Sequence, residues 1–134
     1  MNPDGTVGIV LVSHSAALAE GAAQLAAQIS GGTVAVVPAG GTDDGDLGTS
    51  AEKVRQAVGQ ADRGAGVVVL PDLGSAVLTV RALLADDDDL AASVELADAP
   101  FVEGAVAATV AAVGGANAKA VLSAAEEAWH ARKF

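Results

Sequence analysis

Cysteine and tyrosine are missing from this sequence of 134 residues, and aromatic residues make up only 2% of it. Without cysteine there are no disulfides and no thiolate metal sites, a usage that fits the cytoplasm. With so few rings, a pocket that stacks planar bases lacks its usual walls. Positive charge is scarce as well. Seven Lys and Arg stand against 17 Asp and Glu, giving a net charge of −10, which repels nucleic acid and anionic membrane surfaces. No uncharged stretch approaches the roughly 18 residues of a membrane span. Met1 to Gly5 has neither the basic start nor the apolar core of a signal peptide. Three common motifs are also absent: G-x-G-x-x-G, G-x-x-x-x-G-K-[ST] and G-x-S-x-G. These absences describe a cytoplasmic chain that engages neither nucleic acid nor membrane.

What is present is apolar: 51% of the residues are hydrophobic, so the core must be Ala, Val and Leu, in one domain over 7–134. Residues 1–6 read as a disordered lead-in. The apolar run Val7 to Val12 is a strand buried on both faces, followed at once by Ser13-His14-Ser15. Ser15 is placed to cap a helix whose apolar face is Leu18, Ala22, Leu25, Ala26 and Ile29, and Gly31-Gly32 stops it. Thr33 to Val37 is a second strand. Pro38 to Gly48 is a polar, Gly-rich loop of a length that is often functional. Thr49-Ser50-Ala51-Glu52 has the form of a capping box, opening a helix with Val54, Ala57, Val58 and Ala61 inward. Gly64 to Leu70 is a third strand, and a helix runs from Ser75 through Val77, Val80 and Leu84. Asp86 to Asp89 opposes the macrodipole at that helix's end and reads as a helix stop and solvated turn, since consecutive acids lack the spaced ligands of an EF-hand loop. Ser93 to Ala97 is a fourth strand. Val102, Val106, Val110 and Val113 mark another helix, and Asn117 caps a last one carrying Val121, Leu122, Ala125 and Trp129.

Alternation of strand and helix implies a parallel sheet with helices on both faces. The expected fold is a flavodoxin-like α/β three-layer sandwich of strand order 2-1-3-4. Its crevice lies where the carboxyl ends of strands one and three meet. Those ends carry His14 and Asp72, each two residues beyond the last apolar residue of its strand. An Asp accepting from one ring N–H fixes the tautomer and aims the other nitrogen's lone pair outward. That suits a nucleophilic or phosphoryl-accepting imidazole, and equally a general base. The helices beginning at Ser15 and Ser75 point free N–H groups at the same crevice, and Gly74 leaves room for close approach. No Lys or Arg adjoins these motifs in sequence, so backbone amides would have to neutralise a phosphate. Ser13 and Ser15 flank His14 and are read as pointing away from it. His130, beside Trp129, reads as a solvated helix-end histidine.

Four segments then acquire a common meaning: VSHSAALAEG (12–21), GGTDDGDLGTS (40–50), PDLGSA (71–76) and APFVEGAVAATVAA (99–112). In this order and spacing the chain resembles, over residues 7–130, the phosphotransferase-system subunit of dihydroxyacetone kinase, DhaM, a mannose-type IIA domain. The resemblance implies that His14 receives a phosphoryl group from the phosphocarrier HPr and passes it to ADP on the kinase subunit DhaL, with DhaK binding dihydroxyacetone. It implies that Asp72 orients the ring, and that Gly74 and Ser75, together with Thr49 and Ser15, bind the phosphoryl oxygens. No metal or cofactor is implied on this chain, while ADP or ATP with magnesium is expected on the partner kinase subunit. It further implies a homodimer in which the apolar helix Val102–Val113 packs. Some members continue into HPr-like and enzyme I-like domains, which other chains would have to supply here. Two other functions fit the same residues: a mannose-type sugar-permease IIA domain donating to a IIB protein, and a non-catalytic α/β regulatory module.

Overall fold

In the computed structural model, which describes residues 5–134, four parallel strands form one sheet of order β2-β1-β3-β4. The elements run β1 (Gly8–Ser13), α1 (Ala16–Ser30), β2 (Val36–Gly40), α2 (Ala51–Ala61), β3 (Val67–Pro71), α3 (Gly74–Asp86), α4 (Asp88–Ser93), β4 (Val94–Leu96), α5 (Phe101–Val113) and α6 (Ala118–Glu127), with a 3-10 turn at Ala128–His130. This is the expected α/β three-layer sandwich. The two central strands are buried on both faces because their side chains alternate between two cores. Ile9, Leu11, Val68 and Leu70 meet α1, α5 and α6, whereas Val10, Val12, Val67 and Val69 meet α2 and α3. Each such Val or Leu contributes about 1.5–3 kcal/mol by leaving water. Of the lead-in expected over residues 1–6, residues 1–4 lie outside the described residues.

Several boundaries differ from the sequence reading. β2 begins at Val36 rather than Thr33, because Thr33 closes a turn on Ser30 after Gly31 caps α1. The strand then includes Pro38, which an edge strand tolerates since its missing N–H can face outward. β3 starts at Val67 because Gly64 and Gly66 both have positive φ, and it extends onto Pro71. β4 is shorter than Ser93–Ala97, although Ala97 N–H still donates to Val69 O at 2.9 Å.

The helices differ in ways that matter more. Ser50, not Thr49, caps α2, its hydroxyl accepting from Lys53 N–H at 3.2 Å. α3 begins at Gly74 with no side-chain cap, and buries Leu83, leaving Leu84 half-buried. The acidic run is not simply a solvated turn. Asp87 caps the short helix α4 through Leu90 N–H at 3.0 Å and pairs with Arg55 of α2. Those two partners hold its carboxyl below the usual range. Asp88 and Asp89 then fall in a first turn, where the macrodipole favours them.

Two helices also turn unexpected faces inward. α1 buries Ala19, Ala22, Ala23 and Ala26, leaving Leu18, Leu25 and Ile29 exposed; α5 buries Gly104, Ala105, Ala108 and Ala112, leaving Val102, Val110 and Val113 exposed. Small residues let these helices lie close to the sheet and to each other. The larger side chains are displaced outward.

Candidate functional site

β1 and β3 are neighbours, with Val12 opposite Pro71, and each delivers its next residues to the carboxyl edge of the sheet. Both strands run one residue past their apolar stretch, so His14 directly follows Ser13 and Asp72 directly follows Pro71. Asp72 N–H donates to Val12 O at 2.9 Å, which locks the two strand ends together. The loop after β2 holds the same backbone from the other side: Gly41 N–H donates to Ser13 O (3.2 Å) and Gly48 N–H to His14 O (2.9 Å).

The Asp72 side chain, 8% exposed, accepts four hydrogen bonds. Oδ1 takes His14 Nδ1–H at 2.9 Å and Leu73 N–H at 2.7 Å; Oδ2 takes Ser13 Oγ–H at 2.8 Å and His14 N–H at 3.1 Å. Burial on its own raises the carboxyl's pKa. The hydrogen bonds from Ser13, from the backbone and ring of His14, and from Leu73 outweigh it and hold the group below its ordinary value of 3.8. An ionised Asp72 can only accept, so the ring proton sits on Nδ1 and the lone pair on Nε2. Nε2 faces the Ser75 hydroxyl, which touches it.

The residues expected from the sequence lie around this pair as follows. Ser15 caps α1 with its oxygen accepting from Leu18 N–H at 3.2 Å, which leaves its own proton free. Gly74 opens α3, and a Cβ there would meet no atom within 4 Å. Thr49 follows the Gly48 amide that binds His14 O, and its buried Oγ1 has no hydrogen-bond partner among the described residues. His130 is exposed in the closing 3-10 turn.

Three features escaped the sequence reading. Ser13 does not simply point away. It is fully buried and bonds the carboxylate that orients His14. A polar residue ending a strand buried on both faces must find a partner, and the β1–β3 register supplies Asp72. Secondly, Arg81 lies two turns into α3, on the same face as Gly74 and Val77. With Asp72, Gly74 and Val77 it lines a cleft of about 730 Å³ that adjoins Asp72 but is not walled by His14 or Ser75. Thirdly, Trp129 is 59% exposed and walls that cleft instead of filling the core, its Nε1–H donating to Asp98 O at 2.8 Å.

A buried carboxylate fixes a histidine at a strand end, two helix N-termini lie alongside, and the ring nitrogen turned away from the carboxylate has the geometry of a nucleophile or a general base. Residues 8–122 match the family model of EIIA-man, the PTS system fructose IIA component. The chain belongs to the EIIA-man family. Within that family its curated relatives are DhaM subunits. It is 42% identical over 131 residues to the PEP-dependent dihydroxyacetone kinase phosphoryl donor subunit DhaM of Providencia stuartii, covering 95% of this chain but 28% of that one. It is 35% identical over 117 residues to the phosphoryl donor subunit DhaM of PEP-dependent dihydroxyacetone kinase 2 of Listeria innocua, covering 87% of this chain and 94% of that one. This EIIA-man chain thus spans little more than a quarter of the Providencia relative and nearly all of the Listeria one. The crystal structure of EF1359, a protein of unknown function, superposes with a TM-score of 0.81 at 31% identity over 91% of this chain and 94% of that one.

Proposed function

We propose that this chain relays a phosphoryl group through His14 Nε2, from the phosphohistidine of HPr to ADP held by the kinase subunit DhaL, with DhaK holding dihydroxyacetone. The Asp72–Nδ1 hydrogen bond, which leaves Nε2 unprotonated and facing outward, is the observation that carries this reading. In the first step the Nε2 lone pair attacks the incoming phosphorus. The donor's P–N bond breaks and its electron pair returns to the donor ring. In the second, an oxygen of the ADP terminal phosphate attacks the phosphorus, the P–Nε2 bond breaks, and the pair returns to Nε2. His14 keeps the Nδ1 proton throughout, and the Asp72 charge stabilises the positive ring that exists while Nε2 carries phosphorus. Ser75 Oγ–H lies where the phosphoryl oxygens arrive. The free hydroxyl proton of Ser15, the amides opening α1 and α3, and the space over Gly74 complete the cradle.

Intact-mass measurement after incubation with phosphoenolpyruvate, enzyme I and HPr tests the relay. One acid-labile phosphoryl group is expected on the wild type and none on His14→Ala, and DhaL with DhaK and ADP should remove it. Phosphate on His14 that the kinase cannot discharge would instead mark a sugar-permease IIA domain. No phosphate at all, with HPr active on a control protein, would reject both and leave a non-catalytic module.

The same reading includes a homodimer. Exposed Val102, Val110 and Val113 on α5 supply the apolar face it needs. Val110→Asp, at a residue already 55% exposed, is expected to yield monomers in sedimentation velocity with its melting temperature nearly unchanged. A variant that still sediments with the wild type would move the interface elsewhere.

A further inference from the structure

We propose that Ser13 is a positioning residue whose hydroxyl orients Asp72 and thereby keeps His14 in the Nδ1–H tautomer; the consequence for phosphoryl transfer rests on the relay through His14 proposed above. A serine hydroxyl has one proton to give and can accept two. Ser15 N–H, at 3.0 Å, can only donate, so Ser13 Oγ must accept there. Asp72 Oδ2, at 2.8 Å, can only accept while ionised, so the single Ser13 proton points at it. The side chain is fully buried, and its backbone is paired with Gly40 of β2. Its position is set by the sheet and not by a flexible loop.

The four bonds to the carboxylate are not equivalent. Oδ1 is held by Leu73 N–H at 2.7 Å and by the ring itself. Oδ2 is held by Ser13 and by a longer 3.1 Å bond from His14 N–H. Among the described residues, Ser13 is the only side chain besides the ring that grips Asp72. Without Ser13, Oδ2 keeps only the 3.1 Å bond from His14 N–H, and because the terminal torsion of an Asp side chain is broad and roughly two-fold, the carboxylate gains room to turn. Turning weakens the bond to Nδ1–H. The ring proton can then occupy Nε2, where it blocks the lone pair that must attack phosphorus.

The test uses the full chain with 15N-labelled histidine, comparing wild type, Ser13→Ala and Ser13→Thr. The wild-type His14 is expected to show a protonated Nδ1 and an unprotonated Nε2. In Ser13→Ala the two tautomers should mix, and phosphoryl acceptance from HPr should slow about ten- to hundredfold, the worth of one hydrogen bond to a charged group. Ser13→Thr, which keeps the hydroxyl, should restore both. Should Ser13→Ala not fold, Ser13→Cys, with its weak thiol donor, carries the same expectations. Wild-type tautomer and rate in the variant, whatever its melting temperature, would overturn the proposal. A tautomer change in Ser13→Ala beside a wild type that takes no phosphoryl group would uphold the positioning and reject the relay.

Discussion

Asp72→Asn is expected to slow phosphoryl acceptance by His14 about a thousandfold or more, the scale seen when an amide replaces the carboxylate of a Ser-His-Asp triad. The reason lies in the count of donors. All four groups bonded to Asp72 are donors, and two of them, Leu73 N–H and His14 N–H, are backbone amides that cannot reverse. An asparagine has only one oxygen. With that oxygen toward the ring, its NH₂ opposes His14 N–H. With the NH₂ toward the ring, Nδ1 becomes the acceptor, the proton moves to Nε2 and the nucleophilic pair is lost. Single-turnover transfer from labelled HPr measures the effect, and a loss below about tenfold would exclude an orienting role for Asp72. Stability adds an independent check. The folded carboxyl titrates below its ordinary 3.8, so its contribution is full above that unfolded value and is lost as the pH falls through the lower folded one. The urea midpoint of the wild type should therefore exceed that of Asp72→Asn near neutral pH, and the gap should close as the pH drops below about 4. A gap that stays constant would mean that the carboxylate's charge is not what the fold uses.

Gly8→Ala is expected to destabilise the fold by about 3 kcal/mol or more, the upper range for forcing atoms into a packed core. A Cβ at Gly8 would lie 2.2 Å from the carbonyl oxygen of Ala61 and 2.8 Å from its carbon. Those are backbone atoms at the end of α2. Gly8 itself is fixed by N–H donation to Gly66 O at 3.0 Å and by pairing with Val67. Neither side can move aside without lifting α2 from the sheet or slipping β1, so no side-chain rotation relieves the overlap. Gly21→Ala is the control. It lies on the exposed face of α1, where a Cβ meets nothing within 4 Å, and it should gain about 0.5–1 kcal/mol from helix propensity. Urea unfolding of both variants decides the matter. A Gly8→Ala loss under about 1 kcal/mol would show that α2 yields at this point.

The parts of this molecule that were legible in the sequence are those governed by local pattern. The uninterrupted apolar runs Val7–Val12 and Val67–Leu70 could only be strands covered on both faces, and Ser15, Gly31 and Asn117 bracket helices as their chemistry requires. Other local signals misled. Thr49 and Glu52 have capping-box spacing, yet Ser50 takes the cap, because a one-residue shift costs little in sequence terms and is settled by how the preceding loop binds His14. Leu18, Leu25 and Ile29 show helical periodicity as clearly as the alanines beside them. Periodicity marks a face, but the space between helix and sheet decides which face fits.

By itself the sequence determined the alternation of strand and helix, hence a parallel sheet of order 2-1-3-4, and that order places the residues after the first and third strands at one crevice. The pairing of His14 with Asp72 therefore follows from topology alone, which brings two strand ends together. Only the tertiary structure decided what surrounds them. That Ser13 gives its proton to Asp72, that the buried Thr49 hydroxyl has no partner among the described residues, and that Arg81 lines a cleft adjoining Asp72 depend on side-chain directions a few ångströms apart. Such directions follow from strand register and from helix docking, both set by packing among residues distant in the chain, and no local pattern encodes them.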